Sequence, residues 1–173
     1  MPAGLKQSSS LITIGFDVAE SGANTFTQGR VDLQLNPLDN EVFVVQAINM
    51  DGLAPDVNPG VNSSTSASLT TTSKTAVANL SDTNCMATTR DDIRTDAPLA
   101  AVSAGVAFTR TSMETPPSGL EYIGVISTND FFIQVAGQGN TLAKGVSGKV
   151  YGYRAVASSA IYAALVQSEL LSA

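Results

Sequence analysis

The chain has 173 residues, 43% of them apolar and only 14% charged, with a formal net charge of −6. That length suits a single domain with a sizeable core, and the acidic balance argues against a protein that neutralises phosphates with Lys and Arg. Histidine is absent and cysteine occurs once, at Cys85. This removes His-dependent activation of a nucleophile, an internal disulfide and, in practice, a structural zinc site.

Along the chain, residues 1–10 are small and polar with a single charge, Lys6, and read as a flexible N-terminal arm. The start lacks a charged segment followed by an apolar core, so no signal peptide is expected. The pattern beyond it has period two. In "TFTQGRVDLQL", Val31, Leu33 and Leu35 share one face while Arg30, Asp32 and Gln34 share the other, as in a half-buried strand. "PLDN" supplies a turn, and "EVFVVQAINM" (Glu41 to Met50) reads as a central strand covered on both faces. Two prolines and two glycines make "DGLAPDVNPGVNSSTS" a long loop. "ASLTTTSKTAVANL" resumes β-type composition, "NCMATTRDDIRTDAP" is weaker, and "LAAVSAGVAFTRTSM" is a further strand candidate. "LEYIGVIS" and "DFFIQVAG" are expected to pair as a hairpin through Thr128-Asn129, and "GKVYGYRAV" comes after them as a last strand. Strands are thus predicted near 25–35, 41–50, 66–72, 74–80, 102–110, 120–127, 129–136 and 147–156. Eight short strands with long connections define an all-β protein, an eight-stranded jelly-roll β-sandwich in preference to an immunoglobulin sandwich.

The tail is different. In "ASSAIYAALVQSELLSA", Ala157, Ile161, Ala164, Leu165 and Ser168 follow i, i+3, i+4 spacing, although an arm or terminal strand is open. Its one charge is Glu169, and its apolar residues Ile161, Tyr162, Leu165, Val166, Leu170 and Leu171 form a candidate inter-subunit interface. The competing reading has this segment cover one open end of its own sandwich. The domain division that results is an arm (1–10), a jelly roll (11–156) and a C-terminal segment (157–173).

Several stretches raise the question of chemistry. "AGQGNTLAKGVSGKV" groups glycines around lysines as a phosphate loop does. A phosphate loop, however, requires Gly-x4-Gly-Lys-Ser/Thr, and around Gly148-Lys149 the opening glycine is Ala143 and the hydroxyl is Val150. The stretch is better read as a connection between strands, its glycines supplying positive φ. "RDDIRTD" brings Asp91, Asp92 and Asp96 together, oxygens that suit calcium, but the spacing is not that of an EF-hand, and a solvated loop or an inter-subunit ion-pair patch is preferred. Two acids flank the turn in "LDNE" (Leu38 to Glu41), the minimum for a sugar-cleaving pair. Tyr151 and Tyr153 share a strand face, where packing is favoured over stacking on a sugar or base. Cys85 is read as an incidental buried thiol, and the Asn-x-Ser matches at Asn62 and Asn79 as accidental. No catalytic, cofactor-binding or metal-binding residue is assigned, and the chain is not read as an enzyme.

The succession of short strands and long loops, ending in "DFFIQVAGQGNTLAKGVSGKVYGYRAV", resembles the viral single-jelly-roll capsid proteins. Its size is similar to the smaller major capsid protein of icosahedral double-stranded DNA viruses with internal membranes, known from Thermus phages and haloarchaeal viruses. The resemblance covers roughly residues 20 to 156 in architecture, without a diagnostic motif. It implies a jelly roll standing upright in a virion shell, made in the host cytoplasm and joined with sister copies and a second capsid protein into capsomers. An arm with only Lys6 fits a shell that lies near a membrane and does not touch the genome. The alternative from another class is a β-sandwich carbohydrate-binding or adhesin module, and a carboxylate-only hydrolase comes last.

Overall fold

The computed structural model describes residues 4–95, 106–112 and 121–171. Among the described residues, ten strands and one α-helix occur in this order: β1 Leu5–Gln7, β2 Ile12–Ala19, β3 Thr27–Asp32, β4 Glu41–Gly52, β5 Ser63–Thr70, β6 Cys85–Thr95, β7 Val106–Ser112, β8 Gly124–Ile126, β9 Asp130–Gln138, β10 Gly145–Ala157 and α1 Ser159–Leu171. They form two five-stranded antiparallel sheets. In the first, β10 lies between β4 and the successive strands β1 and β2, with β8 beyond β4; in the second, the order is β3-β9-β5-β6-β7.

The pairing is nested. β2 pairs with β10, β3 with β9, β4 with β8 and β5 with β6. A long antiparallel ribbon rolled up on itself produces this pattern, so the fold is a jelly roll, with β1 extending the first strand and β7 added beside β6. The eight-stranded all-β expectation holds.

Strand β4 shows how the sequence drives this arrangement. Val42, Phe43, Val44 and Val45 are all essentially inaccessible to solvent. Phe43 and Val45 enter the main core between the sheets with Phe16, Ile48, Leu69, Ile126, Phe131 and Ile133. Val42 and Val44, on the opposite face, join a second cluster with Leu5, Tyr153, Ala155 and Ala157. The unbroken apolar run is therefore a strand covered on both faces. In the main core Phe16 meets Phe131 edge-on, with ring centroids 6.5 Å apart.

Several expectations are corrected. Residues 5–7 of the expected flexible arm form β1, paired with Ala155 to Ala157. β2 and β6 are strands absent from the predicted set. Residues 74–80 are not a strand. They lie over the outer face of the second sheet, where the Lys74 and Ala78 amides donate to Gln28 Oε1 and Ser68 Oγ at 2.8 and 3.0 Å. Ser68, Gln134, Gln28 and Thr70 continue this buried polar network beneath the segment. Strands β8 and β9 do not pair as a hairpin: β8 joins β4 in one sheet and β9 joins β3 and β5 in the other. Residues 127–129 cross between the sheets, held by Asn129, whose carbonyl and side chain accept the amides of Leu33 and Leu35 at 2.8 and 2.6 Å. Residues 102–105 of the strand expected near 102–110 lie outside the described residues.

Candidate assembly surfaces

The tail is a helix, in agreement with its spacing. α1 follows β10 directly and turns back over the outer face of the first sheet, packing Ile161, Tyr162 and Leu165 against the second apolar cluster. Gly4, preceding β1, lies so close beneath it that an added Cβ would collide with Ile161 Cδ1.

The far end of the helix is fastened by a carboxylate. Glu169, the buried residue of α1, accepts the Ser127 and Thr128 amides at 3.0 and 3.1 Å, the Thr128 hydroxyl at 3.2 Å and the Ser127 hydroxyl. Its backbone carbonyl accepts Asn84 Nδ2 at 3.3 Å. A single side chain thus accepts the amides and hydroxyls of both Ser127 and Thr128 in the crossover between the sheets, and a buried carboxylate is tolerated because it is hydrogen-bonded.

The six candidate interface residues are divided by this geometry. Ile161, Tyr162 and Leu165 face their own sheet, Val166 is half-buried, and Leu170 and Leu171, beyond the Glu169 anchor, are 61% and 78% exposed. Between the helix, β8 and the start of β6 runs a groove of about 400 Å³, with Leu80, Met86, Ile123, Val125 and Leu165 among its lining residues.

The glycine-lysine stretch is built into the opposite end of the sandwich. Gly139 has φ +67°, the conformation expected of a glycine in a strand connection. Gly148 and Lys149 are within β10, a thirteen-residue strand, whereas a phosphate loop opens a helix. Gly148 is required for a different reason: a Cβ there would lie 2.2 Å from the Asn49 carbonyl oxygen and 2.5 Å from the Phe16 ring. The second lysine, Lys144, is buried and pairs with Asp56 at 2.5 Å. This ammonium holds the Asp56 carboxyl below its ordinary value, with the Leu142 and Thr141 amides adding to the effect. Around the pair, Asn140 donates to Ser64 O and accepts the Asp56 amide at 2.8 and 2.9 Å. Asn140 also exchanges two 2.8 Å bonds with Asn24. Glu20 receives the Gly137 and Lys144 amides at 2.6 and 2.8 Å.

The remaining candidates are occupied structurally or fall apart. Asp92 forms a two-point ion pair with Arg90 on the outside of β6, whereas its neighbour Asp91 is buried on the inner face; Asp96 lies outside the described residues. No group of three metal-ligating side chains occurs among the described residues. Asp39 and Glu41 accept the Asn36 side-chain and backbone N–H groups at 2.6 and 3.0 Å, and so shape a turn. Tyr153 is buried in the cluster beneath α1, so it is not free to form an aromatic platform with Tyr151. Burial pushes the Cys85 thiol up to about 11, which leaves it a poor nucleophile near neutrality. Among the described residues no helix is long and apolar enough to cross a membrane.

Sequence reasoning misses Glu169 as an anchor and the Glu20–Asp56–Asn140–Lys144 network. A lone charge in an apolar tail is a signal for the first. The second joins residues more than eighty positions apart and has no local signature.

The fold and these surfaces define a jelly-roll β-sandwich. No family model and no curated protein matches the chain. A chain from the solved structure of Desmodium yellow mottle tymovirus is similar over 92% of this chain and 96% of that one, at 12% identity and a TM-score of 0.33. A likeness of that order assigns neither a family nor an activity.

Proposed function

We propose that this chain is a structural, self-assembling virion protein, a capsid shell subunit that forms capsomers by burying apolar surface. The observation that carries the reading is the end of α1. Glu169 fixes the helix on its own sandwich and leaves Leu170 and Leu171 in solvent. Exposed aliphatic side chains favour association, because covering them removes apolar surface from water. The nested jelly roll and the low charge content support the same reading, since few charges need be desolvated on assembly. In this proposal the interface consists of Val166, Leu170 and Leu171, while Ile161, Tyr162 and Leu165 secure the helix. The partners are sister copies and a second capsid protein in an upright arrangement near an internal membrane, without contact to the genome.

The test is the double substitution Leu170→Asp/Leu171→Asp. Both positions are exposed, so the β-type circular dichroism should persist while the mass by analytical ultracentrifugation falls. A folded variant with unchanged multimeric mass contradicts the assignment of this interface.

A further inference from the structure

We infer that the outer face of the second sheet carries a binding site for a neutral sugar, in a trough with Phe26 at one side and Arg90 at the other. The site is separate from the assembly contact proposed at α1 and does not depend on it.

Strand register builds the trough. Ser66 on β5 is level with Ala136 on β9 and Arg90 on β6, and Ser64 is level with Gln138 and Asp92. Ala67, Thr89, Asp91 and Val135 are buried on the inner face, so these six alternate residues point outward. Phe26, half-buried just before β3, stands at one side of the trough, and residues 75–77 stand behind it. Alanine and serine keep the floor low between the larger Phe26 and Arg90, which leaves a cavity of about 260 Å³. A neighbouring cavity of about 160 Å³ shares Ser64, Arg90 and Gln138 and adds Asp92.

The polar groups of the trough are only partly used by the protein itself. Ser64 is 7% exposed and lines both cavities. Its carbonyl accepts Asn140 Nδ2, whereas its hydroxyl donates to no group among the described residues. A buried hydroxyl in that position is costly unless water or a ligand accepts from it. Arg90 donates from Nε and Nη2 to the two carboxylate oxygens of Asp92, at 2.8 and 2.9 Å. This two-point pair fixes the guanidinium, cancels its charge and leaves Nη1 donors beside carboxylate lone pairs.

Donors and acceptors side by side match adjacent sugar hydroxyls, each of which both donates and accepts. Phe26 adds an apolar surface for the C–H face of the ring. A phosphate or carboxylate would meet the Asp92 charge, and an aliphatic ligand would leave the Ser64 hydroxyl without an acceptor. The main cavity lies below the roughly 300–1,000 Å³ of sites for drug-sized molecules, a size that suits a single sugar ring.

Saturation-transfer-difference NMR with glucose, galactose, mannose and N-acetylglucosamine tests the site on the full chain and on Arg90→Met and Phe26→Ala, with circular dichroism as the check on folding. The unsubstituted chain should transfer saturation to at least one of these sugars. Arg90 is largely exposed, so Arg90→Met should fold and bind that sugar at least about tenfold more weakly, as expected when charge-assisted hydrogen bonds are lost. Folded Phe26→Ala should also bind more weakly, and Leu170→Asp/Leu171→Asp should keep the sugar. Absence of transfer to all four sugars, undiminished binding in Arg90→Met, or loss of binding in the helix variant overturns the site. A fall in multimeric mass in Arg90→Met, with no transfer to the unsubstituted chain, would assign the trough to a protein contact and overturn the sugar as occupant.

Discussion

Gly148 is a position where the main chain leaves no space for a side chain. With the Asn49 carbonyl 2.2 Å from where a Cβ would sit, and the Phe16 ring 2.5 Å away, β2, β4 and β10 must all shift to accept even a methyl group. Gly148→Ala is therefore expected to destabilise the fold by about 1–3 kcal/mol, as overpacked cores do. Urea denaturation followed by circular dichroism measures this, and an unchanged midpoint would contradict the close approach. Sequence alone makes Gly148 a suspect for phosphate binding, because glycine beside lysine is the same signal whether the backbone approaches a ligand or a neighbouring strand. What separates the two cases is the element after it, and "VYGYRAV" alternates as a strand. Glu169 presents the reverse case: its isolation in an apolar tail is visible in the sequence, but its partners Ser127 and Thr128 come from a crossover that the sequence presents as a hairpin.

At the scale of elements, legibility depends on whether period two is written in apolar residues. β4 is plain because every residue from Val42 to Val45 is apolar and buried. β6 is hidden because its inward positions are Ala87, Thr89, Asp91 and Ile93, a buried face that is half polar. β2 does carry the signal, in Ile12, Ile14, Phe16 and Val18, but it directly adjoins a small, polar arm that masks where the strand begins. Residues 74–80 have β composition yet give the amides of Lys74 and Ala78 to side chains of β3 and β5, so composition exceeds pairing. The connections carry their own prediction. Asp56 has a depressed carboxyl, so its contribution to stability is complete above its unfolded value of 3.8 and is lost as pH falls through the lower folded value. Asp56→Asn should be less stable than the unsubstituted chain near neutrality, and the gap should close as pH falls from about 5 towards 2.5, below the ordinary carboxylate range. Thermal melts across that range test this; a gap independent of pH would show that the Lys144 pair does not contribute.

For the whole molecule, the nested pairing of first strand with last, second with second-last and so inward is what makes eight strands and their connections one unit. Strand count and loop length anticipate this architecture, even though two members of the count are misplaced. The surfaces are less legible, because exposure is a property of the packed chain: Leu170 and Leu165 look alike in sequence, and only docking on Val42, Val44 and Tyr153 separates the residue that packs from the one left exposed. Exposed aliphatic side chains occur at two opposite ends, Leu170 and Leu171 beyond Glu169 and Leu53, Val57 and Leu142 around the Asp56–Lys144 pair. The most direct test is sedimentation of the purified full-length chain in native buffer, with negative-stain microscopy of the same sample. The account predicts multimers of many copies, seen as regular capsomers or closed shells. A single species at the 17.8 kDa of one chain, unchanged as its concentration is raised, would contradict it.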